Sequence, residues 1–184
     1  MNNPNTNMRI QYLNKLHEQT VKEKAERYLS IDHQGIVGNH YFAVASDETI
    51  RCYEEGLYIS CILATQAVAE GILKFLVDRN PDINNSLKSD DAIDALKSNG
   101  HITNECRQAF KKIRESFRND YHHMNPKVGG LSHNELAHKV ITSLANIEKE
   151  IFSVSFSDGK LIPAVPRYWD SKKEGTVECF LRLA

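Results

Sequence analysis

The residues Arg118-Asn119-Asp120-Tyr121-His122-His123 are the side chains of this sequence best suited to chemistry on a phosphodiester. An arginine guanidinium offers a planar fork of N–H donors that matches phosphate oxygens. An imidazole accepts and returns a proton near neutral pH. The segment covers about one and a half helical turns, so one helix end would carry both kinds of group. Such a pairing can cut a phosphodiester without a metal.

The helix that must position them is predicted from Thr103 to about Met124 and is stopped by Pro126. It has two stripes. Cys106, Phe110, Ile113, Phe117, Tyr121 and Met124 follow i+3/i+4 steps and form the expected buried face. Arg107, Lys111, Arg114 and Arg118 follow the same steps about 100° further round and form a basic face, which His122 extends. On a regular helix His122 lies about 40° from Arg118 around the axis, and His123 about 140° away, above Asn119. Periodicity therefore favours His122 as the partner of Arg118. Unwinding before Pro126, or a second subunit, would bring His123 in. A plainer account stands beside this one: most surface helices carry a solvated charged face, and cations near a helix C-terminus complement its dipole.

The other elements follow from the apolar pattern. A first helix is expected over Met8 to Leu29, after a polar tail (residues 1–9) that frays. A long second helix is expected from about Asp47 to Asp78, capped by Ser46 or Asp47 and ended by Asn80-Pro81. Its stripe of Ile50, Leu57, Cys61, Ala64, Ala67 or Val68, Gly71 and Phe75 makes it the central core helix. Glu70 sits in its apolar stretch, where a carboxylate needs a partner: Lys74 one turn on, or Arg114 or Arg118 of the fourth helix. A third helix fits Ser89 to Ser98, with Ser89 as cap and Gly100 past its end. The fifth begins at Ser132-His133-Asn134-Glu135, a capping-box pattern, and runs through Ile151. The period then changes. Val154 to Ile162 reads as a hairpin around Asp158-Gly159, and Thr176 to Leu183 as a strand with Val177, Cys179, Leu181 and Leu183 on its buried side. Tyr168 and Trp169 are candidates for stacking or partner contact.

The expected class is thus predominantly all-α: about five helices over residues 10–152, with a small β-appendage over 153–184. With 184 residues there is room for one domain with a real core. The formal charge of −1 leaves no global basic field, so any nucleic-acid binding must come from a local patch. Cys52, Cys61, Cys106 and Cys179 contain no C-x-x-C spacing, which argues against a zinc knuckle or disulfide framework and fits a reducing cytoplasm. The uncharged run from Leu57 to Ala69 is too short to span a bilayer. A metal hydrolase built on His122, His123, His133 and His138 would lack H-E-x-x-H and any standard ligand spacing.

Arg118-Asn119-x-x-x-His123 resembles the motif of HEPN domains: arginine, usually a polar residue, then histidine after four to six intervening positions. The stretch Tyr58 to Leu76, with Glu70 in an apolar helix, is similar to the family's second helix, which often carries an inward acidic or polar residue. The resemblance covers roughly residues 10–150. It implies a metal-independent endoribonuclease that needs no cofactor and works as a homodimer with its two motifs in one cleft, typically in a toxin or defence setting with a possible antitoxin protein. It implies that His123, or His122, moves the proton, that Arg118 holds the phosphate and that Asn119 orients one of them. Arg107, Lys111 and Arg114 would guide the RNA, and Glu70 would line the site. The alternative is a non-catalytic HEPN-like module that binds RNA, a nucleotide or a protein.

Overall fold

A computed structural model describes residues 4–172 and 176–182. It is predominantly α-helical, with two small strand pairs. The helices are α1 (Pro4–Leu29), α2 (Ala43–Glu54), α3 (Tyr58–Arg79), α4 (Ser89–Ser98), α5 (Asn104–Arg114), α6 (Arg118–His122) and α7 (His133–Ile151). The strands are β1 (Ile36–Gly38), β2 (Val154–Ser157), β3 (Lys160–Pro163) and β4 (Cys179–Leu181). α3 is the centre of the bundle. It packs against α2 and α7, and α5 closes on α7. Ile62, Ile72, Leu76, Ile93, Phe110 and Leu144 are among the fully buried side chains. α3 is long and apolar enough to cross a membrane by composition alone, but its apolar residues are taken up by neighbouring helices.

Several expected elements divide. Residues 4–9, read as a frayed tail, are the first turns of α1. The long second helix is two helices, α2 and α3, because Gly56 takes a left-handed conformation (φ 75°) that a side chain would resist. Leu57, placed on the core stripe by periodicity, is exposed at that break. The fourth helix also divides. α5 ends at Arg114, residues 115–117 turn, and α6 restarts at Arg118. α4 matches the expected Ser89–Ser98, although its cap position is Lys88 and no side chain caps it. The capping box before α7 is not formed, since the Ser132 hydroxyl bonds to Asn134 instead of the helix backbone.

The hairpin is present, with Asp158 and Gly159 both at positive φ as a tight two-residue turn requires. The last strand does not join it. β4 pairs antiparallel with β1, in the connection between α1 and α2. Its inward residues are also the other set from that expected: Cys179 and Leu181 are exposed, Phe180 is half-buried and Arg182 is buried. Leu183 lies outside the described residues. Tyr168 and Trp169 are core residues, not contact residues. Asn80 bonds the Tyr168 hydroxyl at 3.1 Å, and Trp169 meets Phe152 edge-on. The tail therefore closes the core as well as packing on it.

Candidate functional site

The basic row is real, but most of it is paired. α4 presents Asp90 and Asp94 one turn apart, facing α5. Arg107 Nε donates to Asp94 at 2.5 Å, and Lys111 Nζ donates to the same carboxylate at 3.1 Å. Arg114 Nε donates to Asp90 at 2.7 Å, and its Nη1 lies 3.7 Å from Glu70. The Arg114 hydrogen bond holds the Asp90 carboxyl below its usual range. Arg107 first, and then Lys111, do the same for Asp94. The residues expected to guide a nucleic-acid strand thus clamp α5 to α4, which corrects the reading of that face as a free positive ridge. The reason is a matching acidic stripe on a helix that periodicity treats separately.

Glu70 on α3 reaches the arginines, not Lys74. It accepts from both terminal nitrogens of Arg118, the Nη2 bond being 2.9 Å, in a two-pronged pair. Each partner keeps 37% of its side-chain surface in solvent. An arginine has five N–H donors and an end-on carboxylate uses two. Nε–H and one N–H on each terminal nitrogen are left for another acceptor. Glu70 thereby fixes where the guanidinium points without exhausting it.

The break before Arg118 has its own support. Gln66, one turn before Glu70, is buried and donates to the Ser116 carbonyl at 3.2 Å and to its hydroxyl at 2.8 Å. Ser116 in turn bonds the Ile113 carbonyl. Sequence reasoning missed Gln66 and Ser116. The available signal was Gln66 itself, a second polar residue one turn from Glu70 on the same apolar helix.

α6 is bracketed by residues in the left-handed region, Phe117 (φ 56°) and Met124 (φ 47°). Neither is a residue that tolerates this conformation easily, and each costs on the order of 1 kcal/mol. Both were expected in the core, yet Phe117 is 45% and Met124 62% exposed. The turn at 115–117 puts Phe117 outside, and Met124 lies past the end of α6, while Tyr121 between them stays buried. Tyr121 shares a 2.7 Å hydrogen bond with His133, and burial raises the pKa of its hydroxyl.

His122 and His123 are exposed, as is Asn119. His122 is four residues beyond Arg118 on the continuous helix and shares its face; His123 follows as the C-cap. α6 and its cap thus carry Arg118, Asn119, His122 and His123 within six residues, Arg118 half-buried and the other three exposed. Arg107 and Lys111 belong to the α4–α5 clamp. The four histidines considered as metal ligands do not converge: His133 pairs with Tyr121 and His138 lies against Tyr53. Among the described residues no three His, Cys, Asp or Glu side chains gather as an ion site. The cysteines are unpaired; burial pushes the Cys61 thiol up to about 12 and that of Cys106 in the same direction.

No family model, curated protein or solved structure matches the chain.

Proposed function

We propose that this chain is a metal-independent endoribonuclease of HEPN type, acting in the cytoplasm as a homodimer in a toxin or defence role, with an antitoxin protein as a possible partner. One observation carries the reading: a short helix entered through a strained Phe117 carries Arg118 and, four and five residues on, two exposed histidines, with the guanidinium held by Glu70 and three of its N–H donors outside that pair. In the proposed reaction the RNA 2′-hydroxyl attacks the adjacent phosphorus. The O2′–P bond forms and the P–O5′ bond breaks. An imidazole, of His122 or His123, takes the 2′-hydroxyl proton, and a second imidazole, supplied by the facing copy, protonates the departing O5′. Arg118 offsets the charge that grows on the phosphate oxygens. Asn119 orients the imidazole or a phosphate oxygen. The products are a 2′,3′-cyclic phosphate and a 5′-hydroxyl, and DNA is spared for want of the nucleophile.

A second reading, a non-catalytic module that binds RNA, a nucleotide or a protein, is favoured by the pairing of Arg107, Lys111 and Arg114 with carboxylates. Incubating labelled RNA and DNA of one sequence with the protein in EDTA separates the two. Cleavage of RNA alone, ending in cyclic phosphate and lost in Arg118→Ala, supports the nuclease. Binding without cleavage supports the module.

A further inference from the structure

α3 does more than anchor Arg118. Its residues Glu70, Leu73, Lys74, Val77 and Asp78 recur at i, i+3, i+4, i+7 and i+8, so they share one face of the helix. The segment leading into α4 faces them with Asn85, Leu87, Ser89 and Ala92, and between the two runs a groove of about 310 Å³. That is the small end of the roughly 300–1,000 Å³ typical of small-molecule sites. Glu70, the carboxylate that holds Arg118, belongs to this groove as well. Asp78 lies eight residues further along α3, a rise of about 12 Å.

The lining is chemically specific. Leu73 and Val77 on α3, with Leu87 and Ala92 opposite, give apolar surface on both sides, as the two faces of a planar ring require. The charges balance. Glu70 is answered by Arg118 and Arg114, and Lys74 and Asp78 add one charge of each sign. A second anion therefore gains little in the groove, whereas a neutral ring with a polar edge fits it. Lys74, Asp78 and Asn85 are exposed and have no hydrogen-bond or ion-pair partner among the described residues. The Asn85 amide both donates and accepts, but the Asp78 carboxylate only accepts. An exocyclic amino group satisfies it, and a carbonyl at the same position does not.

We propose that this groove takes the base of the nucleotide next to the phosphate held by Arg118, and that Asp78 selects adenine or cytosine over uracil. The ring lies between the α3 face and the 85–92 segment, with its amino group toward Asp78 and Asn85 beside it. Lys74, one turn along from Glu70, is left for a backbone phosphate. The choice of ligand rests on the nuclease reading, so the test reads binding and not cleavage.

The isotope-labelled full chain is titrated by NMR in EDTA with the 3′,5′-bisphosphates of cytidine, uridine, adenosine and inosine. Each carries a phosphate on either side of its sugar, and each pair differs by an amino group replaced by a carbonyl. The cytidine and adenosine compounds should shift the amides of residues 74–78 and 85–89 and bind at least about tenfold more tightly than their counterparts. Asp78→Asn should remove that preference. Leu87→Trp, which fills the groove from an exposed position, should abolish the shifts with an unchanged melting temperature. No shift at these residues with any of the four, equal binding within each pair, or an unaltered preference in Asp78→Asn would overturn the proposal. Shifts without RNA cleavage by wild type would sink the nuclease and leave the groove; cleavage without shifts would do the reverse.

Discussion

Two of the arginine–glutamate pairs among the described residues have the same chemistry in opposite settings. Arg182 and Glu148 keep 2% and 3% of their side-chain surface in solvent, and they share the Ser46 hydroxyl. Arg182 also donates to the Gln34 carbonyl at 2.9 Å, which ties the end of the chain to the segment after α1. Arg118 and Glu70 are each 37% exposed, with Arg114 3.7 Å from the same carboxylate and the exposed His122 and His123 four and five residues after Arg118. The buried pair has spent its charge on holding chain segments together. The open pair has a fixed direction and spare donors. Geometry of pairing alone does not tell a staple from a site; solvent access to the unused donors does.

The largest effect is expected at Arg182. Replacing it with Met leaves the Glu148 carboxylate buried without its cation, which should cost about 3–5 kcal/mol in urea denaturation. Adding Glu148→Met should recover most of that loss, because burying two uncharged side chains avoids the desolvation of both ions. A single Arg182→Met variant as stable as wild type would show that the tail is not a staple.

A smaller effect is expected at Gln66. Its replacement by Leu leaves the Ser116 carbonyl unsatisfied and should destabilise the fold by about 1–3 kcal/mol. Because that bond holds the turn before Arg118, RNA cleavage at a temperature where the variant is folded should fall as well. A Gln66→Leu chain with normal cleavage would mean that the turn is held without Gln66, by the bonds of Ser116 to Ile113 and the burial of Tyr121.

The smallest effect concerns the clamp between α4 and α5. Asp90 and Asp94 titrate below their unfolded values because arginine and lysine bind the charged form. Their contribution is complete above an unfolded carboxyl pKa of about 4 and is lost as pH falls through the lower folded values. Melting temperatures at pH 5 and pH 3 should therefore differ more for wild type than for Asp94→Asn. Equal differences would mean that these exposed pairs add nothing to stability.

Much of the helical architecture was legible in the apolar periodicity, including α4 at its observed ends, the start of the fifth helix and the Asp158-Gly159 hairpin. Glu70 was legible as a carboxylate that needed an arginine. The division at Glu115–Phe117 was not, because the core stripe runs on unbroken in sequence and a left-handed phenylalanine leaves no signal of the kind that Gly56 does. The neutralisation of the basic row was hidden for another reason: Asp90 and Asp94 meet it from a different helix. The face of β4 was reversed because patterning assigns an arginine to water, whereas Arg182 points inward to Glu148. Candidate residues were found by chemistry and spacing, while the means of holding them lay in contacts between distant segments.

RNA cleavage in EDTA by wild type and Arg118→Ala decides whether the open pair serves catalysis. Wild type should yield 2′,3′-cyclic phosphate ends. The variant should be slower by about 10²–10³-fold. Its stability should change by under about 1 kcal/mol, as befits a half-exposed pair. Equal rates for the two proteins, or no cleavage by wild type, would contradict the account.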